Sequence, residues 1–556
     1  MSLSIFWPDD VRHSGTVLGW SSPAVWCIAG VLSKEENTPK LDDILLTLRP
    51  DPPRVLGSCS FAKGSWVPEL QLDSSKPYNI ILYRRHKPVT LRYHCLTPPG
   101  ALPPSHSAPG PAQIRKASAG IDELIIEKFN RAWTVDDAVQ RALMPRRTRG
   151  TREPLIWALA STIARSLAPY ILLASQIARW ICSAPLLLWK ASDILLIAQQ
   201  IDVRSEQAQF FVREAGSLAG EGGVAVPVLA GRYTNFFNIV WLIVNDITVG
   251  IAVGSFLCEN HAILAKMLDR VVQDFLVTRL IWVLHWLDSW PAGLKLNTEL
   301  SRFYAHSFSE IISAWGGLLG RASAFLPVII YATGVASFLG VSFSISIVSD
   351  VLALATVHTY VCYTVSNAIY SRMLKTAGSL WNLFRGKRFN VLRNRTDSWE
   401  YDIDQLLFGT VLFTLLAFLF PTVLAYHAVF AAVRLGIISL YAGLETLLAF
   451  INHFPLFALM LRIKDPWRLP GKVLLGFHVV NHLLLLRPNP DFAMLQNLPV
   501  PLSSIFFQYV GLSKRLAAHY NPVRLLRHVL TGRFLDAIPR YSIRYDKINE
   551  PRATEE

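Results

Sequence analysis

Residues 389–426 read FNVLRNRTDSWEYDIDQLLFGTVLFTLLAFLFPTVLAY. A basic cluster at Arg393 and Arg395 gives way to acids, and residues 406–426 then carry no charge. At about 1.5 Å of rise per residue, such a run spans a hydrocarbon core roughly 30 Å thick. Acids at the start of a helix are stabilised by its dipole, while basic residues beside them suit an anionic headgroup layer. The stretch therefore predicts a membrane helix preceded by a polar entry.

The composition agrees with a membrane protein. Of the 556 residues, 52% are hydrophobic and only 17% are charged, and the mean hydropathy is +0.33. Soluble domains contain about 25% charged residues, so a polytopic membrane protein is predicted. The net charge of +14 then indicates contact with anionic lipid rather than nucleic acid. The six cysteines form no CxxC pair, which argues against a zinc site or a disulfide framework.

We predict an all-α polytopic membrane protein with about six to eight membrane helices and a small N-terminal cytoplasmic α+β domain. Within that domain, residues 79–85 and 89–96 are β-rich and predict a hairpin. The predicted divisions are a soluble domain at 1–97, a proline-rich linker at 98–116, a helix and basic run at 117–154, a membrane domain at 155–461 and a basic interfacial C-terminal region at 462–556.

The first half of the membrane domain leaves alternatives open. Residues 155–201 are apolar but interrupted by charges, and fit either two short spans or a pair of interfacial helices. Residues 233–258 predict a span that contains Asp246. A carboxylate inside a membrane is costly, so Asp246 marks either a functional site or a structural hydrogen bond to another helix.

Two membrane hairpins are predicted in the second half. The first joins residues 322–349 and 351–371, which are separated only by Asp350, and the second joins 406–426 and 435–461. Residues 371–395 hold seven basic residues and no acid, and residues 462–472 hold four basic residues and one acid. The positive-inside rule places both loops in the cytoplasm, which requires an even number of crossings between them. On this topology the sequon at Asn394 stays unglycosylated.

Two groups of side chains could bind a metal. Asp402 and Asp404 resemble the paired carboxylates that hold the divalent ion of a sugar nucleotide, although the dipole of the following helix already accounts for them. His478 and His482 are four residues apart and could share one helix face, but no third ligand accompanies them. No nucleophile elbow, Walker loop or Rossmann glycine pattern is present.

A second informative stretch, WPAGLKLN, occupies residues 290–297. It combines an interfacial tryptophan, a Pro-Gly turn and the start of an amphipathic helix, so Lys295 is placed to meet a lipid phosphate. A turn with a snorkelling lysine is the alternative interpretation.

These stretches resemble the phosphatidylinositol glycan class Q family. The resemblance rests on the Asn-Val-Leu-Arg and Tyr-Asp-x-Asp-Gln strings within 389–426, on WPAGLKLN, on HTYVCYTVSNAIY at 358–370, and on the His-Tyr and Leu-Thr-Gly-x-Phe of 515–535. It covers a family core at roughly 282–430 well and 505–535 moderately, and it does not reach residues 1–150.

The resemblance implies a subunit of the endoplasmic reticulum complex that transfers N-acetylglucosamine from UDP-GlcNAc to phosphatidylinositol. The class A subunit of that complex holds the sugar-nucleotide site, and the class C, H, P and Y subunits are further expected partners. We therefore expect a non-catalytic, multi-pass scaffold without metal or cofactor, with its N-terminal domain and the 371–402 loop in the cytoplasm. The residues expected to contact phosphatidylinositol, other lipid or a partner are Lys295, Asn297, Arg393 and Arg395.

Two alternatives remain open at this stage. The chain could itself be a metal-dependent membrane glycosyltransferase acting through Asp402 and Asp404, or it could be a lipid transporter or scramblase. A transporter would need polar groups along a path between spans, and Asp246 and Glu445 alone do not make one.

Overall fold

A computed structural model describes most of the chain. The described residues are 3–33, 45, 48, 51–61, 68–72, 78–96, 122–143, 166, 168–180, 185–186, 189–190, 195–220, 226–289, 296–390, 395–478, 492–506 and 521–535.

The strands and helices have the following bounds. The strands are β1 (Leu3–Pro8), β2 (Gly15–Ser21), β3 (Val25–Leu32), β4 (Arg54–Ser60), β5 (Glu69–Leu72), β6 (Tyr78–Tyr83), β7 (Pro185–Leu186), β8 (Trp189–Lys190), β9 (Lys387–Asn390), β10 (Arg395–Ser398), β11 (Pro470–His478) and β12 (Phe492–Pro499). The helices are α1 (Glu123–Leu143), α2 (Leu196–Gly220), α3 (Val226–Gln273), α4 (Arg279–Asp288), α5 (Thr298–Ala322), α6 (Leu326–Ser337), α7 (Val341–Ala355), α8 (Val357–Phe384), α9 (Ile403–His453), α10 (Leu456–Lys464), α11 (Leu502–Ile505) and α12 (Pro522–Leu530). A π-helical turn joins α3 to α4, and a 3-10 turn joins α5 to α6.

An eight-stranded mixed sheet, together with α1, forms what we call the sheet domain. Its strand order is β11-β12-β6-β1-β3-β2-β4-β5. The central strand β1 runs parallel to both of its neighbours, β3 and β6. Both faces of β1 are buried from Ile5 to Trp7, so these three consecutive residues are apolar rather than alternating. Ile5 and Trp7 pack on one face, and Phe6 packs on the other against Tyr83 and against Phe129 of α1.

The predicted hairpin at 79–85 and 89–96 is wrong. The first half is strand β6, but β6 pairs in parallel with β1 and β12. In place of a second strand, Pro88–Thr90 forms a 3-10 turn, and Leu91 follows it with a φ of 54°. Proline donates no backbone hydrogen bond and fixes its own φ, which favours this turn over a strand.

Strands β11 and β12 were also not predicted. Residues 462–556 were predicted to be an interfacial region, whereas Pro470–His478 and Phe492–Pro499 are strands of the sheet domain. β12 pairs in parallel with β6 through Ala493 and Met494, more than 400 residues away along the chain. Pairing over such a distance leaves no local signal in either segment.

Three continuous helical segments in the described residues are long and apolar enough to cross a bilayer: Val226–Asp288, Thr298–Ser337 and Ile403–His453. The pair α7 and α8, bent by 51°, adds a fourth if it counts as one broken span. The chain is therefore mostly helical with a sheet domain, as expected, but the expected six to eight membrane helices are not confirmed. Part of the difference arises because predicted helices join into longer ones, as 406–426 and 435–453 do in α9.

The predicted hairpin at 406–426 and 435–461 is wrong, because α9 continues through the expected break. His427 is buried against the ring of Tyr370, 4.3 Å between centroids, and the Arg434 guanidinium lies 4.8 Å from the centre of the Tyr360 ring. Both polar side chains are thus covered by aromatic rings of α8, so they need no turn to reach water.

The unbroken α9 also bears on orientation. Its 51 residues rise about 76 Å, more than twice the thickness of a hydrocarbon core. The predicted orientation requires an even number of crossings between the two basic loops, 371–395 and 462–472. The cytoplasmic placement of both loops stays a prediction.

The hairpin predicted around Asp350 is wrong as well. Asp350 lies inside α7, and the helices break instead at Gly340 and Thr356. The Asp350 carboxylate accepts hydrogen bonds from the backbone N–H groups of Leu196 at 2.8 Å and Ile197 at 3.0 Å. These are orphan donors at the start of α2, so Asp350 caps another helix rather than marking a loop.

Small residues let α3 and α6 pack closely and antiparallel. A Cβ on Gly250 would lie 2.1 Å from the Ser337 carbonyl oxygen. A Cβ on Gly254 would lie 2.7 Å from the Gly334 carbonyl oxygen. The Ser337 hydroxyl donates to the Gly250 carbonyl at 3.0 Å. Contacts of this kind allow helix backbones to approach in an apolar environment. We call helices α2 to α10 the helical bundle.

Candidate functional site

Asn297, one of the expected lipid or partner contacts, begins α5. Its Oδ1 accepts a hydrogen bond from Leu300 N–H at 3.0 Å, which is the ordinary role of asparagine at a helix N-cap. Its own N–H donates to Thr422 Oγ1 of α9 at 2.9 Å. One turn later, the Tyr426 hydroxyl donates to the Ser301 carbonyl at 3.1 Å. Asn297 thus fixes the start of α5 against the middle of α9.

The three basic residues of the expected site are described only in part. Lys295 and Arg393 lie outside the described residues. Arg395 lies in β10, which pairs with β9, and its Nε donates to the Asp397 carboxylate at 2.8 Å. The Arg395 side chain is 60% exposed, so it can still reach a headgroup or a partner. The predicted contacts stay predictions.

A buried ion pair lies inside the bundle and supplies the partner that Asp246 lacked in the sequence. Arg204 of α2 pairs with the Asp246 carboxylate of α3, whose side chain is 0% exposed. Asp246 also accepts from Ser342 of α7, from its N–H at 3.0 Å and from its hydroxyl at 2.7 Å. Every carboxylate oxygen is therefore used in a contact between helices, which favours the structural role over a free functional acid.

Two amides extend this pair to α9. Gln200 Nε2 donates to Ser342 Oγ at 2.9 Å and to Asn452 Oδ1 at 3.1 Å, and Asn452 Nδ2 returns a bond to Gln200 Oε1 at 2.8 Å. Gly340 closes the cluster, since a Cβ there would lie 2.0 Å from Asp246 Oδ2. We call Gln200, Arg204, Asp246, Ser342 and Asn452 the polar cluster. It joins four helices that are far apart in sequence.

Sequence reasoning missed the polar cluster apart from Asp246. Gln200 and Arg204 are four residues apart, so they share one face of α2, and that spacing was the available signal. The sequence could not show which helix faced them, because Asn452 and Ser342 lie far along the chain.

The proposed metal ligands do not converge. Asp402 precedes α9 and Asp404 lies in its first turn, and both side chains are exposed. His478 ends strand β11, so the helix face proposed for it does not exist, and His482 lies outside the described residues. Among the described residues, no three His, Cys, Asp or Glu side chains could together hold a metal ion.

The C-terminal segment 521–535 docks against α8 and α9. Asn521 caps α12 by accepting from Val523 N–H at 3.1 Å, and Gly532, with a φ of 63°, ends it. The Tyr370 hydroxyl donates to the Leu530 carbonyl at 3.0 Å, and Leu535 N–H donates to the Tyr363 hydroxyl at 3.0 Å. The Leu-Thr-Gly-x-Phe string is therefore a helix end that seats the segment on the bundle.

A second polar network holds the sheet domain together. Arg85 donates from Nη2 to Asp10 and from Nη1 to Asp136 of α1, both at 2.7 Å. The buried His94 ring lies 2.9 Å from Asn497 Oδ1 of β12, and Asn497 Nδ2 donates to the Tyr93 carbonyl at 2.8 Å. These bonds fasten the C-terminal strand to the N-terminal part of the sheet.

Two histidines of the sheet domain have lowered pKa values. Burial lowers the pKa of His94, against hydrogen bonds to the Arg84 carbonyl and Asn497 that raise it. Burial, with smaller contributions from His94 and nearby arginines, lowers the pKa of His86 to about 3. Both rings are therefore neutral at physiological pH, which limits them to hydrogen bonding and packing.

An ion pair links the sheet domain to the end of the bundle. Arg92 Nη2 contacts the Asp465 carboxylate at 2.9 Å, directly after α10. Arg462 Nε donates to the Val500 carbonyl, just beyond β12, at 2.9 Å. The last bundle helix and the edge of the sheet are thus held together by charged side chains.

Comparison with known proteins identifies relatives for the bundle. The model of the Gpi1 family, described as an N-acetylglucosaminyl transferase component, matches residues 198–471. The Schizosaccharomyces pombe N-acetylglucosaminyl-phosphatidylinositol biosynthetic protein gpi1 is 37% identical over 363 residues, 64% of this chain and 55% of that protein. The Saccharomyces cerevisiae phosphatidylinositol N-acetylglucosaminyltransferase subunit GPI1 is 36% identical over 310 residues, 54% of this chain and 49% of that protein.

A human relative is similar over a shorter region. Human phosphatidylinositol N-acetylglucosaminyltransferase subunit Q is 36% identical over 237 residues, 42% of this chain and 31% of that protein. The chain thus spans about half the length of the two yeast relatives and less of the human one. No solved structure matches the chain. The resemblance to the class Q family is confirmed, and the matched region contains the whole polar cluster.

Proposed function

We propose that the chain is a membrane subunit of the assembly that transfers N-acetylglucosamine from UDP-GlcNAc to phosphatidylinositol, because residues 198–471 match the model of the Gpi1 family. That reaction begins the synthesis of glycosylphosphatidylinositol anchors. The family match is the observation on which this proposal rests. The proposed location is the endoplasmic reticulum membrane, and the proposed partners are the class A, C, H, P and Y subunits.

Within that assembly, the proposed role of the chain is a non-catalytic scaffold. The buried polar groups of the bundle support this role, because they form hydrogen bonds and ion pairs between helices. Asp246 and Arg204 bond to each other, and Asn297 and Tyr426 bond between α5 and α9. Such side chains hold helices in place, and their hydrogen-bonding groups are used in these contacts.

The outer surface of the bundle supports the same role. Only 17–22% of the residues in the most apolar stretch of each long helix are buried in this single chain. On α9 the exposed side chains include Phe408 and Phe418, which are 70% and 78% exposed. Apolar helix faces of this size need lipid or the membrane helices of partner subunits to cover them.

Co-purification tests the scaffold role. The tagged chain is expressed with its partner subunits and isolated in mild detergent, and both partner recovery and sugar transfer are measured. We expect the chain alone to transfer nothing from UDP-GlcNAc. We expect Asp246→Asn to lower partner recovery and total transfer in equal proportion.

The matched control is an arginine at the surface of α5. Arg302→Gln changes an arginine whose ion pair with Glu299 lies on the exposed surface of α5, and partner recovery should stay unchanged. Sugar transfer by the purified chain without partners would contradict the scaffold role.

A finer proposal concerns the headgroup of the lipid substrate. Lys295, Arg393 and Arg395 would contact the phosphate of phosphatidylinositol or the subunit that receives it. Alanine at Arg395 should raise the lipid concentration needed for half-maximal transfer while the complex stays assembled. Loss of assembly in that variant would instead identify Arg395 as a contact between subunits.

A further inference from the structure

Helix α12 packs on the bundle with one face and leaves the opposite face uncovered. Leu525 and Val529 pack against the core formed by α5, α8 and α9. The side chains of Val523, Leu526 and Leu530 point away and are 73%, 60% and 55% exposed. A surface helix in water places polar residues on its outer face. An apolar outer face on a helix that is already docked needs another apolar phase.

The charges on this segment are all of one sign. Residues 521–535 contain Arg524, Arg527 and Arg533 and no acid. Arg524 and Arg527 are exposed and alternate along the outer face with Val523 and Leu526. Apolar residues flanked by arginines on one helix face are typical of helices that lie in the plane of an anionic membrane surface.

The position of α12 along α8 agrees with a membrane surface. A Cβ on Gly532 would lie 3.2 Å from the Cα of Ser371, so the end of α12 touches α8 there. From Val357 to Ser371, α8 has no Asp, Glu, Lys or Arg, and the exposed Arg372 and Lys375 follow at once. A change from uncharged to basic along a membrane helix is expected at the headgroup layer.

We propose that α12 is an in-plane membrane helix whose outer face binds anionic phospholipid, with Leu526 among the upper acyl chains and Arg527 at the phosphates. A protein partner is the other occupant that such a face could take. Charge favours the lipid, because the segment offers three arginines and no acid to whatever covers it. The contact requires only a bilayer around the bundle, so it stands apart from the proposed sugar-transfer assembly.

Photocrosslinking in the full chain tests this contact. p-Benzoylphenylalanine replaces Leu526, and the purified chain is placed in nanodiscs of phosphatidylcholine alone or with one-fifth phosphatidylserine. The control position is Val89 of the sheet domain, which is 90% exposed. We expect lipid adducts at position 526 and none at position 89, with phosphatidylserine enriched among the adducts over its share of the bilayer.

A charge variant separates lipid selectivity from folding. Arg527→Gln should reduce the enrichment of phosphatidylserine by about fivefold while the total lipid adduct stays the same. Arg54→Gln, at an exposed arginine of strand β4, should leave the enrichment unchanged. Absence of lipid adducts at position 526 would overturn the proposal. So would an adduct to a partner subunit at that position in the assembled complex, or labelling of the two lipids in proportion to their share of the bilayer.

Discussion

The sheet domain and the helical bundle each bury an arginine between acidic or polar partners, but only in the sheet domain is a carboxylate partner of that arginine widely exposed to water. In the sheet domain Arg85 is 6% exposed, while its partner Asp10 is 48% exposed. In the bundle Arg204 is 14% exposed and Asp246 is 0% exposed. Asp10 therefore keeps part of its hydration, whereas Asp246 depends wholly on protein donors. The difference teaches that the polar cluster fixes helix positions more strictly than the Arg85 network fixes the sheet.

The largest effect is expected from Asp246→Asn. The substitution removes the Asp246 carboxylate that pairs with the Arg204 charge inside the bundle, and breaking a buried pair costs about 3–5 kcal/mol. The midpoint of thermal unfolding of the purified chain in detergent should fall sharply. Arg302→Ala breaks an exposed pair worth at most about 1 kcal/mol and serves as the control. Equal shifts in the two variants would remove the distinction between buried and exposed pairs.

The next effect is expected from Gly340→Ala, which adds one methyl group beside the polar cluster. Gly340 has a φ of 143°, and its Cβ would lie 2.0 Å from Asp246 Oδ2. Strain of this kind costs about 1–3 kcal/mol, so the midpoint of thermal unfolding should fall. Gly436→Ala in α9 meets open space and should leave the midpoint unchanged or raise it. An unchanged midpoint in Gly340→Ala would show that the polar cluster leaves room for a methyl group at this position.

In the sheet domain, Asn497→Ala tests the attachment of the C-terminal strand. It removes the donor to the Tyr93 carbonyl and the acceptor for the His94 ring, and each buried group left without a partner costs about 1–3 kcal/mol. Faster hydrogen exchange in β12 and β6 is the expected result. Leu498→Ala, at the neighbouring half-exposed side chain, should leave that exchange slow. The same exchange in both variants would mean that Asn497 does not hold the strand.

The smallest effect is expected from pH. Because His86 has a folded pKa of about 3, below the unfolded value of about 6.5, only the unfolded chain takes up its proton on acidification. Its contribution to stability is complete above pH 6.5 and is lost progressively as the pH falls towards 3. The midpoint of thermal unfolding should therefore fall less between pH 7.5 and 5 in His86→Gln than in the parent chain.

The sequence predicted the kinds of elements better than their extents. The uncharged run 406–426 did predict a helix, because length and hydropathy are local properties. The predicted end of that helix was wrong, because α9 continues past His427 and Arg434, which the rings of Tyr370 and Tyr360 cover. Helix breaks in this bundle depend on what each polar side chain meets in three dimensions.

The candidate site was likewise predicted only in part. Asp246 could be singled out from sequence, since an acid in an apolar run is conspicuous. Its partners could not be assigned, because Arg204 and Ser342 come from different helices. Asn297 was singled out by its family string, and the structure adds its N-cap bond and its bond to Thr422. Lys295 and Arg393 remain predictions.

The transfer activity of the assembled complex that contains Asp404→Asn tests the central claim most directly, namely that this chain organises the reaction without performing it. Asp404 is exposed in the first turn of α9, so the substitution should leave folding and assembly intact. Activity is measured per mole of complex recovered with all partner subunits. The account predicts the same specific activity as the parent complex. Loss of transfer in a fully assembled complex would contradict it and restore the metal-dependent glycosyltransferase.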